Sequence, residues 1–170
     1  MPPPIKIQLC NNMISTWLDA VSSSIVVLYA LPLILYFITF QPQQLMILLG
    51  MILTLGIGES IKHFLIGTKS PRPEGASDCN LFCTDGPQGG RPGMPSTHTA
   101  VTIFAAAAYF SQLSSYPLAQ AGIVGYAVLM LYSRYAKQCH TLPQIAMGAL
   151  LGYGAYSIVL KKCMLRKEYE

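Results

Sequence analysis

Five stretches of this chain are apolar for most of the thickness of a bilayer's hydrocarbon core, and that feature restricts the backbone to helices. Crossing the core takes about 20 residues as α-helix, and lipid offers no partner to a backbone N–H or C=O, so each spanning segment must satisfy its own hydrogen bonds. The first stretch runs from about Val21 to Phe40 and the second from about Leu45 to Ile66, with QPQQ as a tight connection. Glu59 and Lys62 interrupt the second. The third starts near Pro95 and continues through TAVTIFAAAAYF; it is short, so tilt or local bilayer thinning is expected. The fourth covers roughly Leu118 to Tyr135 and the fifth roughly Leu142 to Leu160, where Gly148, Gly152 and Gly154 suit close helix approach. The expected fold is all-α: an integral membrane helical bundle of about five transmembrane helices, with a long loop between the second and third.

Composition narrows the class further. At 170 residues, 52% hydrophobic and 11% charged, the chain is too apolar for an ordinary soluble domain and too short for several domains. A single unit over residues 1–170 is expected, with 1–20 as a lead-in carrying the interfacial Trp17 and 161–170 as a basic tail. The segment MPPPIKIQLCNN lacks the pattern of a cleaved secretory signal, so the first apolar stretch should remain a helix. A net charge of +4 gives no warrant for nucleic-acid binding in so apolar a chain. Cys10, Cys79, Cys83, Cys139 and Cys163 fit no zinc spacing. Unpaired thiols are the default reading, and a Cys79–Cys83 bridge is the alternative if their loop faces an oxidising lumen.

With five crossings, the C-terminal ends of the second and fourth helices share a membrane face with the N-terminal ends of the third and fifth. The loop GTKSPRPEGASDCNLFCTDGPQGGRPGM lies there, long enough to be either functional or disordered. The opposite face has the uncharged connections QPQQ and SQLSSYPLAQ and the tail with Lys161, Lys162, Arg166 and Lys167, which favour the cytoplasm. The expectation is a multi-pass protein of the endoplasmic reticulum or another secretory-pathway membrane, its loop face turned to lumen or exterior.

Three segments converge on that face: KHFLIGTKSPRP, GRPGMPSTH and YSRYAKQCH. Phosphoryl transfer concentrates negative charge on the oxygens around phosphorus, so its catalyst needs fixed donors and cations there. Arg72, Arg134 and either Lys62 or Lys69 can supply the charge, and the planar fork of arginine meets two phosphate oxygens at once. Pro95, Ser96 and Thr97 read as a helix start with a hydroxyl cap, whose free N–H groups favour an anion. His98, in that first turn, can protonate a leaving oxygen, and His140, at the start of the fifth helix, can attack phosphorus. Gln144, one helical turn beyond His140, can hold the ring proton with its carbonyl, fixing the tautomer without stabilising imidazolium charge. His63 reads as interfacial, Glu59 as an ion-pair partner of Lys62, and Arg91 and Lys137 as loop or headgroup contacts.

PSTH resembles the second signature, and Ser133, Arg134 and His140 the third, of the type 2 phosphatidic acid phosphatase superfamily, over roughly Lys62 to Gln144 and the helix that follows. The resemblance implies a helical membrane enzyme that needs no metal or cofactor and acts on lipid phosphates or diphosphates. It further implies His140 as nucleophile, His98 as general acid, and Lys62 or Lys69 with Arg72, Ser96, Thr97 and Arg134 as the phosphate cradle. IKH before PRP, GMPS, YSR, HT and Gln144 are similar to the dolichyl diphosphatase branch, which implies a polyprenyl diphosphate substrate. The chain departs from the wider family at two points. Nine residues separate Lys62 from Arg72 and two separate Lys69 from it, whereas the family's spacing lies between; and Gln144 stands where most relatives carry Asp. The rival expectation is a catalytically weak or inactive protein that binds anionic lipid. The partners expected are a lipid substrate and the bilayer, with a homo-oligomer allowed and nucleic acid not.

Overall fold

The structure, a computed structural model, describes residues 17–161. The lead-in before Trp17 and the basic tail beyond residue 161 lie outside the described residues, as do Cys10 and Cys163. Among the described residues there are five α-helices: α1 (Trp17–Thr39), α2 (Pro42–Ser60), α3 (Thr97–Gln112), α4 (Pro117–Ala136) and α5 (Leu142–Tyr156). Proline sits in the first turn of α2, α4 and α5, where its missing N–H costs nothing. Among the described residues there is no strand, only two isolated bridges inside the long loop.

Among the described residues three spans are long and apolar enough to cross a membrane: Trp17–Thr39, Pro42–Lys69 and Leu142–Leu160. Their outer faces carry exposed Val27, Ile34, Ile52 and Leu150, which only a hydrocarbon solvent makes tolerable over so many positions. α3 is central instead, packing against α2, α4 and α5. Ringed by other helices, it can carry buried Thr97, His98, Thr99 and Thr102 without presenting them to lipid. Its apolar side joins Val101, Phe104 and Ala105 to Ile47 and Met51 of α2, Met130 of α4 and Tyr156 of α5.

Where α5 crosses α3 the backbones almost touch. A Cβ at Gly148 or Gly152 would fall on the carbonyl oxygens of Ser96 or Ala100 respectively, so only glycine permits this approach. Gly154, also expected to serve packing, has open space around it. The close α3–α5 contact brings His98 and His140 to one end of the bundle, because each lies at the N-terminal end of its helix.

The loop 70–96 is ordered. Arg72 N–H donates to Arg91 O at 2.8 Å and Gln88 N–H to Ala76 O at 2.7 Å, closing the loop on itself as an irregular ribbon. Asp85 Oδ1 accepts from the backbone N–H groups of Cys79 and Asn80 at 2.7 and 3.2 Å, fixing its tip. Neither reading of the cysteines holds for Cys79: it is not an unpaired thiol, and the alternative bridge to Cys83 is not formed. Cys79 is bonded to Cys139, 60 residues away, and Cys83 is a free thiol. The covalent tie therefore joins the loop to the residue preceding His140.

Candidate active site

Each converging segment delivers its side chain by a different local device. Beyond Ser60, α2 widens into a π-helical turn, Ile61–Ile66, and closes with a 3-10 turn, Gly67–Lys69. These wider and tighter turns take up the long spacing between Lys62 and Arg72, and π-turns of this kind commonly mark functional sites. Lys62 is buried, whereas Lys69 is exposed and does not line the cavity below. Lys62 Nζ lies 2.5 Å from Glu59 Oε1, the expected ion pair. His63, read from sequence as interfacial, is exposed and reaches the other oxygen of the same carboxylate at 3.3 Å.

Ser96 is the N-cap of α3, but its hydroxyl makes no cap bond, contrary to the sequence expectation. It accepts instead from Thr99 Oγ1 at 3.0 Å, while the Ser96 N–H donates to Gln144 O at 3.0 Å and locks the two helix starts together. Arg134, 0% exposed at the end of α4, donates from Nη1 to Ser22 Oγ of α1 and from Nη2 to Cys79 O at 2.6 Å. Lys137 is taken up structurally: its Nζ lies 2.5 Å from Asp19 Oδ1 and donates to Asp78 O at 2.8 Å.

The setting of His140 depends on which end of the Gln144 amide faces it. Gln144 Nε2 lies 3.2 Å from Ser70 O, 3.1 Å from Ser70 Oγ and 2.9 Å from Pro71 O. Two carbonyls can only accept, so this end is the NH2, and Oε1 faces His140 Nδ1 at 3.3 Å. The proton then sits on Nδ1, leaving the Nε2 lone pair of His140 for attack. Burial, followed by the charges of Arg134, Arg72 and Lys62, holds the His140 pKa well below its ordinary value, with the Gln144 contact opposing. The ring is neutral near pH 7. Burial also lowers Arg72 from its ordinary value, opposed by Asp85 and Glu59; a guanidinium keeps its charge regardless.

This anchoring explains why an amide can stand at position 144. A carboxylate there would turn donation to Ser70 and Pro71 into oxygen–oxygen contact. Gln144→Glu is expected to destabilise the protein by about 3 kcal/mol and to slow turnover at least tenfold. Thermal unfolding in detergent and a phosphate-release assay check it, and a more stable, faster variant would refute this account.

Lys62, Arg72, Thr97 and His98 line one cavity of about 450 Å³, together with Glu59, Arg91 and the apolar Ile25 and Leu55. Ser96, two residues before His98, donates its N–H to Gln144 O at 3.0 Å, and Gln144 Oε1 lies 3.3 Å from His140 Nδ1, although Ser96, Arg134 and His140 are not among the residues that line the cavity. The two imidazoles thus belong to one cluster at one end of the bundle. Six buried side-chain polar atoms among the described residues lack a hydrogen-bond partner; Arg72 Nη1, His98 Nε2 and Arg134 Nε are three of them, and Tyr29 Oη, in the same cavity, is a fourth. Buried donors are rarely left so, at about 1–3 kcal/mol each, and their concentration here is what a site awaiting an anion requires.

Sequence reasoning did not reach Ser22, Ser70, Tyr29 or the Cys79–Cys139 bond. Ser22 lies 112 residues from Arg134 and Ser70 lies 74 from Gln144, so no local pattern announces either contact.

A helical membrane bundle with histidines and unpartnered cationic donors gathered at one end defines a class: membrane proteins equipped to handle an anionic group. The chain belongs to the PAP2 superfamily, whose family model matches residues 43–167. It is accordingly a phosphatase acting on phosphate esters. No curated protein and no solved structure matches it.

Proposed function

We propose that this protein hydrolyses a lipid phosphate or diphosphate by double displacement through a phosphohistidine on His140. The observation that carries the proposal is the pair of unpartnered buried atoms Arg72 Nη1 and His98 Nε2 on a cavity that also has apolar walls, with Arg134 Nε a third unpartnered atom among the buried ones. In the first half-reaction His140 Nε2 forms a bond to phosphorus as the phosphorus–oxygen bond to the lipid breaks, and His98 gives its proton to the departing oxygen. In the second, water attacks phosphorus as the bond between phosphorus and His140 Nε2 breaks, His98 takes the proton of the water, and inorganic phosphate leaves with the His140 lone pair restored. Lys62, Arg72, Arg134, Ser96 and Thr97 form the cradle, with Lys62 rather than Lys69 as its lysine because only Lys62 lines the cavity. Ile25 and Leu55 offer the lipid chain a path into the bilayer between α1 and α2.

The substrate proposed is a polyprenyl diphosphate or a phosphatidic-acid-type lipid, the former favoured by the motif likeness to the dolichyl diphosphatase branch. The site is proposed to face the lumen of a secretory-pathway membrane or the exterior. The Cys79–Cys139 bond on the site face supports that orientation, since disulfides persist in oxidising compartments.

Purified protein in EDTA is expected to release phosphate from farnesyl diphosphate or phosphatidic acid. Tight lipid binding with no release would instead favour a non-catalytic lipid-binding protein. Because the His140 pKa is depressed, the nucleophile stays unprotonated on mild acidification. The acid limb of kcat/KM, corrected for the substrate phosphate's own ionisation near about 6, is therefore expected below about pH 6.5. A limb above that value would contradict this setting of the ring.

A further inference from the structure

Two acidic side chains line the cation-lined cavity. Asp85 is engaged by the backbone N–H groups of Cys79 and Asn80, and the phosphatase chemistry has no use for the other, Glu59, as acid or nucleophile. Glu59 lies three residues before Lys62 on the same helix face, and its Oε1 is 2.5 Å from Lys62 Nζ. Thr97 Oγ1 donates to the same oxygen at 2.8 Å, and Lys62 Nζ lies 3.3 Å from Thr97 Oγ1. Two donors assigned to the phosphate cradle therefore converge on one carboxylate oxygen, the arrangement a phosphate oxygen would adopt between them. His63 Nε2 holds the second oxygen at 3.3 Å, and the Glu59 side chain is 39% exposed against 4% for Lys62. The carboxylate is the more solvent-accessible partner, and the buried ammonium is the one that cannot be left alone.

We propose that Glu59 is a positioning residue that occupies Lys62 and Thr97 when the site is empty and competes with phosphate for them, so hastening release of the phosphate product. The proposal rests on the reading of this cavity as the phosphate site and adds to it a role for a residue outside the cradle. A buried ammonium without a counter-ion is strongly disfavoured, so an internal carboxylate keeps Lys62 in register between turnovers. When phosphate arrives, two anions share one ammonium and repel each other. Substrate also gains from burial of its lipid chain, whereas free inorganic phosphate has nothing else to hold it, so the repulsion falls hardest on the product. On displacement the carboxylate keeps its contact with His63, at the exposed end of the pair.

The test uses the full chain in detergent and inorganic phosphate as the probe. Glu59→Gln keeps an acceptor for Lys62 and Thr97 but removes the charge. The inhibition constant of inorganic phosphate is expected to fall by about fivefold or more, and KM to fall together with kcat as release becomes limiting. Glu59→Asp, which withdraws the carboxylate by one methylene, is expected to shift phosphate inhibition the same way by less, and it serves alone should the glutamine variant fail to fold. An inhibition constant that is unchanged or raised in the folded variants, with wild-type turnover intact, overturns this proposal and leaves the phosphatase reading standing. A wild type that releases no phosphate from lipid and gains no thermal stability from inorganic phosphate overturns both.

Discussion

Replacing His140 by alanine is expected to lower phosphate release by roughly 10⁴-fold or more, the scale on which loss of a covalent nucleophile is felt. The effect should be almost wholly chemical. The backbone N–H of His140, which donates to Arg134 O at 3.2 Å, survives the substitution, and the ring's contact with Gln144 Oε1 is 3.3 Å long. The Cys79–Cys139 bond holds the neighbouring residue in place whether or not the ring is there. The variant should therefore fold, and inorganic phosphate should still raise its unfolding temperature. Rapid quenching of the wild type with phosphorus-labelled substrate should trap an acid-labile phosphoryl group on the chain, and the alanine variant should trap none. Turnover within about tenfold of wild type, or a label that persists in the variant, would place the nucleophile elsewhere.

Arg134→Lys should be nearly as damaging, although the charge is conserved. We expect a loss of about 10³-fold in kcat/KM and about 3 kcal/mol in stability. The guanidinium reaches in two structural directions at once, from Nη1 to Ser22 on α1 and from Nη2 to Cys79 O in the loop, and its Nε remains for an anion. An ammonium is a single point of charge and cannot span α1, the loop and a phosphate from one position. The prediction separates Arg134 from a surface cation, for which lysine would serve as well. Steady-state kinetics with thermal unfolding checks it; a lysine variant within about tenfold of wild type on both measures would show that one contact matters and the fork does not.

Both outcomes reflect how the site is prepared before substrate arrives. Donors buried without partners cost the folded state about 1–3 kcal/mol each, and the fold offsets this with devices remote from the chemistry. The disulfide, the glycine-mediated contact of α5 with α3, and the Lys137–Asp19 pair at 2.5 Å hold the loop and helix ends where the donors cannot relax away. On the proposed mechanism, transition-state charge would then meet groups already aimed at it, without reorganisation during the reaction.

Much of this was present in the one-dimensional text. Lipid permits few backbone solutions, so runs such as Val21 to Phe40 had to be helices, and the order of crossings forced the ends bearing Lys62, His98, Arg134 and His140 to one face. Gln144 could be set against His140 from their spacing, and the contact is there at 3.3 Å, although His140 precedes the helix and Gln144 reaches back to it from the N-terminal cap. Periodicity and crossing order are properties of the chain read locally, and they needed no tertiary information. What they could not choose was between neighbours of equal local merit. That Lys62 and not Lys69 lines the cavity depends on a π-helical turn, Cys139 rather than Cys83 pairs with Cys79 through the fold of the loop, and the amide at 144 is held by carbonyls of Ser70 and Pro71. Each of those choices is made by contact between segments distant along the chain, where close packing and hydrogen-bond geometry discriminate among side chains that sequence spacing leaves equivalent.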